Sequence, residues 1–244
     1  MPQIARRWVS GAFGGTGSSL FGAASTRGGA GLKMALSAAS RMGHDRQMWG
    51  FRFLQLIGGL CTFGLGAALM VHAHLGLDPW NVFHQGLSQR TGLSLGVISI
   101  LSGVVVMLLW IPLRQRPGIG TICNILVIGL SMDLFLWLLP GLEDLVVRVG
   151  ALSVGLVLCG LGTAAYIGAG MGTGPRDGLM IGLNQRFGWS IRVSRMLVEV
   201  LVLASGWLLG GVVGVGTVAF ALLIGPLVQF FLPGFQGWWS RPRP

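Results

Sequence analysis

A chain of 244 residues that is 52% hydrophobic and only 10% charged, with a mean hydropathy of +0.74, is not a soluble domain, because soluble domains carry about 25% charged residues. Its apolar residues come in long runs rather than stripes, which is the pattern of a polytopic, all-α membrane protein. The net charge of +10 would suit a nucleic-acid binder, but the basic residues flank the apolar runs. Membrane topology therefore accounts for them, and the expected partner is the lipid bilayer, with no nucleic acid.

Residues 1–50 are Gly, Ala, Ser and Arg with few large apolar groups. That composition cannot bury a core, so a disordered basic tail is expected, and it lacks the apolar stretch of a signal peptide. Met42 and Met48 are alternative starts for the chain. Six apolar runs follow, near 53–75, 94–113, 119–139, 147–169, 190–209 and 215–233. Each is close to the ~20 residues that span a ~30 Å core, so six transmembrane helices are expected, with 234–244 a short tail. Two shorter segments, 79–91 and 175–187, interrupt the order. Thirteen helical residues reach only about 20 Å, so each is expected as a re-entrant or interfacial helix. The 42 glycines include the small-xxx-small pairs Gly168–Gly172, Gly170–Gly174 and Gly206–Gly210, which let helices approach closely in lipid. Cys61, Cys123 and Cys159 lie inside apolar runs without metal-ligand spacing and read as small apolar residues.

Shifted by 96, the sequence overlays itself without a gap. Gly64-Leu65-Gly66 falls on Gly160-Leu161-Gly162, Gly76 on Gly172, and Pro79 on Pro175. Gln89-Arg90-x-Gly92-x-Ser94 falls on Gln185-Arg186-x-Gly188-x-Ser190, and Gly118-x-Gly120-Thr121 on Gly214-x-Gly216-Thr217. Composition bias matches glycines but not Pro, Gln-Arg and Gly-x-Gly-Thr in one register, so the chain is read as a duplication. Repeat 1 covers 51–140 and repeat 2 covers 141–233. Each holds one span, one short segment and two more spans. Three crossings is an odd number, so the second copy enters from the opposite side and the two are inverted repeats. With both termini in the cytoplasm, Arg114, Arg116, Arg176, Arg186, Arg192, Arg195, Arg241 and Arg243 all lie inside. Only Arg90 and Arg148, with Asp78, Glu143 and Asp144, lie outside. That distribution fits a multi-pass protein of the cytoplasmic membrane obeying the positive-inside rule.

The short segments carry the chemistry. Gly172-Thr173-Gly174 breaks the preceding helix and Pro175 suits the first helical position of the next. In the other copy Asp78 precedes Pro79 as a natural N-cap. Each segment is thus a half-helix with a defined N-terminus. Inside a membrane, such an end turns free N–H groups and a positive dipole end toward a solute, as in secondary transporters built from broken helices. Polar residues cluster there: Arg176, Asp177, Asn184 and Gln185 in one copy, Asp78, Asn81, His84 and Gln85 in the other. The plainer reading is a surface corner followed by an interfacial helix, with Arg176 a topology anchor. Arg195 and Glu199 lie four apart on one span and can pair, either structurally or around a solute. Arg192 reads as an anchor that snorkels. Asp133 stands well inside its span with no local partner, which makes it a candidate for pairing across the repeats or for a proton path. The candidate solute-binding set is therefore Arg176, Asp177, Asp78, Asn81, Arg195, Glu199 and Asp133. His72 and His74 close the first span and read as interfacial residues.

No HExxH, GxSxG or Walker motif occurs, so no enzyme, metal or cofactor is expected. The stretches "GLDPWNVFHQGLSQRTGLSLG", "IPLRQRPGIGT", "GAGMGTGPRDGLMIGL" and "GWLLGGVVGVGTVAFALLIGPLVQ" resemble the bacterial YczE/YyaS/YitT-type membrane protein family over roughly 50–233. The resemblance implies an integral protein of the cytoplasmic membrane and supplies no substrate. The function expected is a small secondary transporter or permease for a small solute, an anion being the natural guest of half-helix ends. The alternative is an accessory or assembly protein that transports nothing. Six short spans make a small transporter, which leaves room for a homodimer.

Overall fold

The computed structural model describes residues 27–236, with side chains described from residue 48 onward. The expected tail over 1–50 thus lies mostly outside the described side chains, and residues 237–244 of the C-terminal tail lie outside the described residues. The described chain is all-helical, in eight helices: α1 Arg27–Ala73, α2 Pro79–Thr91, α3 Leu95–Leu109, α4 Ile119–Leu138, α5 Leu145–Gly168, α6 Pro175–Phe187, α7 Ile191–Leu208 and α8 Val215–Phe235. No strand occurs among the described residues.

Among the described residues, four segments are long and apolar enough to cross a membrane: Met48–Ala73 of α1, α4, α5 and α8. α3 has fifteen residues and qualifies only jointly with α2, across a bend of 113°. α7 has the length of a span, eighteen residues, but carries Arg192, Arg195 and Glu199. The chain is a multi-pass membrane protein; among the described residues four spans, or five if α2 and α3 count as one broken span, are identifiable by length and composition.

The two short helices begin and end where the sequence places them, and the local causes are plain. Pro79 and Pro175 each open a helix at a position whose N–H has no intrahelical partner. Asp78 caps α2 by accepting from Asn81 N, and Gly92 and Gly188 end α2 and α6 in the left-handed conformation that glycine tolerates. The left-handed residues recur at the 96-residue register: His74 with Gly170, Gly76 with Gly172, Gly92 with Gly188, and Arg114 with Gly210.

Tertiary contacts recur at that register as well, with the partners exchanged. Arg52 donates to the carbonyls of Ala169 and Gly170 at the end of α5. Its counterpart Arg148 donates to the carbonyls of Ala73 and His74 at the end of α1. Gly120 N donates to Met171 O at 3.0 Å, and Gly216 N donates to Leu75 O at 2.8 Å. α1 and α5 cross antiparallel through glycines, because Gly59 meets Gly162 while Gly66 meets Gly155. A Cβ on Gly162 would lie 2.6 Å from Gly59 O and Phe63 N, so only glycine permits this approach. The principal apolar core forms around that crossing, from Phe63, Ala67, Met70, Leu152 and Cys159.

Candidate functional site

The start of α2 and the start of α6 face one cavity of about 330 Å³, a volume at the small end for a ligand pocket. Asp78 and Pro79 line it from one half, and Gly174, Pro175, Arg176 and Asp177 from the other. α7 contributes Arg195 and Glu199. Apolar walls come from α3 and α8, with Val106, Phe220, Ile224 and Val228, and from Met180 on α6.

Arg176 is the hub. Its Nη1 lies 3.5 Å from Asp78 Oδ2, with the Asp78 side chain only 3% exposed and that of Arg176 30% exposed. The guanidinium carbon lies 4.7 Å from the centroid of the Trp80 ring, within the range of a cation–π contact. One ion pair and one ring face thus join the short helices of the two halves. Burying the Asp78 carboxylate requires such compensation, because an unpaired charge there is strongly unfavourable. On the wetter side of the cavity, Arg195 Nε lies 3.2 Å from Glu199 Oε1, with side chains 56% and 37% exposed. Asp177 belongs to neither ion pair; the Tyr166 hydroxyl donates to its Oδ2 at 3.2 Å.

Behind Asp78 runs a chain of polar side chains. Asn81 Nδ2 donates to Asp78 Oδ1. His84 Nδ1 stands 3.2 Å from Asn81 Oδ1. His84 is 1% exposed and lines the cavity, and its Nε2 is buried without a hydrogen-bond partner among the described residues.

Of the seven residues singled out in the sequence, Arg176, Asp177, Asp78, Arg195 and Glu199 come together at this cavity. Asn81 stands one step behind it, holding Asp78 and His84. Asp133 is elsewhere. The sequence shows no local partner for it, but it has two: it accepts from Ser94 Oγ and, at 2.7 Å, from Gly96 N, closing the start of α3. The remaining polar residues of the short helices tie neighbouring segments together rather than line the cavity. Gln85 accepts from Val212 N, and Gln185 accepts from Gln115. Trp80 and Tyr166 read in the sequence as ordinary aromatic residues, yet both line the cavity. The 96-residue register aligns Trp80 with Arg176, the signal that could have singled it out. No group of three His, Cys, Asp or Glu side chains able to hold a metal occurs among the described residues.

Residues 50–233 match DUF6198, a family of unknown function. The chain belongs to this family. An uncharacterized protein of Haemophilus influenzae is 45% identical over 177 residues, covering 72% of this chain and 81% of its own length. The uncharacterized membrane protein YczE of Bacillus subtilis is 36% identical over 186 residues, covering 76% of this chain and 85% of its own. The uncharacterized protein YyaS of the same organism is 30% identical over 179 residues, covering 72% and 89%. These likenesses bear out the resemblance to the YczE and YyaS type. No solved structure matches the chain.

Proposed function

We propose that the protein is a small secondary transporter or permease of the cytoplasmic membrane, built from two inverted repeats, with its solute site in the cavity between α2 and α6. The observation that carries this reading is the meeting of the two short helix starts, with Arg176, Asp78, Asp177 and Glu199, at one cavity inside an otherwise apolar protein. Ionisable groups that share a cavity at the junction of two repeats are the usual form of a transport site.

Inversion is supported by the antiparallel crossing of α1 and α5, which hold equivalent places in the two halves. In this arrangement α1, α3, α4, α5, α7 and α8 cross, while α2 and α6 enter from opposite faces. The exchanged contacts fit the arrangement, since each links segments that lie on the same side of the membrane. Leu75 and Gly216 are both outside, and Met171 and Gly120 are both inside. With both termini inside, the arginines concentrate on the cytoplasmic face.

Reconstitution tests the proposal. Protein in liposomes should pass a solute from a labelled panel, and Arg176→Ala should abolish that flux. Normal flux in the variant removes the site. A co-purifying partner with no flux for any solute favours the accessory role instead. Cysteines placed at Glu143 and Arg114 in a background lacking Cys61, Cys123 and Cys159 should label from outside and inside respectively. The reverse pattern overturns the orientation.

A further inference from the structure

The hydrogen-bond chain behind Asp78 decides which nitrogen of His84 carries its proton. Asn81 must turn its amide N–H toward the Asp78 carboxylate, which only accepts. Its carbonyl oxygen then faces His84 Nδ1, at 3.2 Å. A carbonyl oxygen cannot donate, so Nδ1 carries the hydrogen and donates. In the neutral ring this leaves Nε2 as a bare lone pair, buried, without a partner among the described residues and on a side chain that lines the cavity. That atom accepts a hydrogen bond and offers none.

The charges point the same way. Among the described residues, the lining holds three carboxylates, Asp78, Asp177 and Glu199, against two guanidiniums, Arg176 and Arg195. Two ion pairs match Asp78 with Arg176 and Glu199 with Arg195. Asp177 is left in excess, with the Tyr166 hydroxyl on one oxygen. The helix ends do not reverse this balance, because each already faces a carboxylate of its own. Asp78 caps α2. In α6, which has no side-chain cap, Asp177 Oδ2 reaches to 3.3 Å from the position a Cβ would take on Gly174.

We infer that the cavity takes a small organic cation, a protonated amine on an apolar body, held through its N–H groups by the Asp177 carboxylate and His84 Nε2. The apolar wall of Val106, Met180, Phe220, Ile224 and Val228 receives the body of the molecule. The inference deepens the transport reading and rests on it, while reversing the charge that the helix ends alone would favour.

Binding to the full-length protein in lipid nanodiscs tests it by calorimetry and by the ligand-induced rise in unfolding temperature. The probes are n-butylamine, cyclohexylamine and 2-phenylethylamine, each against the carboxylate and the alcohol of matching shape. At least one amine should bind at least ten times more tightly than its two counterparts. Asp177→Asn and His84→Phe should each weaken that amine by about tenfold or more, as expected for the loss of a charge-assisted hydrogen bond. The wild-type comparison needs no variant, so a folding defect cannot mask the answer. If a carboxylate or an alcohol binds as tightly as its amine, the cation is excluded while the solute cavity stands. If none of the probes binds, the cation is excluded, and the solute cavity is then decided separately by whether any flux is lost in Arg176→Ala.

Discussion

Arg176 covers one face of the Trp80 ring at 4.7 Å, and the two residues occupy the same place in the two halves of the chain. Phe63 and Cys159 form a second contact of this kind, with Cys159 Sγ 3.9 Å from Phe63 O across a separation of 96 residues. In the proposed inverted-repeat arrangement, contacts between equivalent positions lie on the axis that exchanges the halves. At the cavity, the 96-residue register sets an aromatic ring against a guanidinium.

Substituting Arg176 by Lys should restore little of the flux lost in Arg176→Ala. A guanidinium stacks on Trp80 and donates to Asp78 at once, whereas an ammonium has no planar face to stack. Trp80→Leu should lower flux several-fold, in line with a cation–π contact of about 0.5–2 kcal/mol. Proteoliposome uptake measures both, and wild-type flux in the Lys variant would dismiss the stacked geometry.

Arg52→Ala and Arg148→Ala should destabilise the protein by similar amounts, about 1–2 kcal/mol each, since each removes charge-assisted bonds to two helix-end carbonyls. The two sites share no partner, so the double variant should lose close to the sum. Denaturant titration in mixed micelles reads all three values. A loss confined to one of the two arginines would show that the halves are not held by matching caps.

Gly120→Ala and Gly216→Ala should each lower the unfolding temperature. An added Cβ would come to 2.9 Å from the backbone of Met171 in the first case and against the carbonyl oxygen of Gly76 in the second. Overpacking of this kind costs about 1–3 kcal/mol. Gly150 has nothing within 4 Å of its Cβ position, so Gly150→Ala should be neutral or slightly stabilising. Equal behaviour of all three variants would discount the close approach at the reciprocal turns.

Asp133→Asn should weaken α3 without changing amine binding. The carboxylate accepts from Ser94 Oγ and Gly96 N, and Ser94 itself caps α3 by accepting from Val97 N. Losing the charge there should cost about 1 kcal/mol. Unchanged stability together with lost binding would return Asp133 to the solute path.

Much of the architecture follows from the residues in chain order. Proline at the first turn and glycine at the end bound α2 and α6, because both act on the backbone of their own segment. Hydropathy marks the membrane class for the same reason, since lipid exposure selects each residue type directly. The 96-residue register is legible in Gly-x-Gly-Thr and Gln-Arg, yet its meaning for Arg52 and Arg148 is not. They are identical residues at the repeat distance, but their carbonyl partners lie more than a hundred and more than seventy residues away along the chain. Asp133 reads as unpartnered for a related reason: its partners at the start of α3 stand 37 and 39 residues upstream. The proton on His84 is further removed still, because it depends on three side chains, an ion pair across the halves and a cavity that one segment alone does not possess. Local backbone preference and burial are properties of a stretch of chain and can be read from it. Hydrogen bonding between distant segments, and the sign of the charge left over where they meet, exist only once packing has brought those segments together.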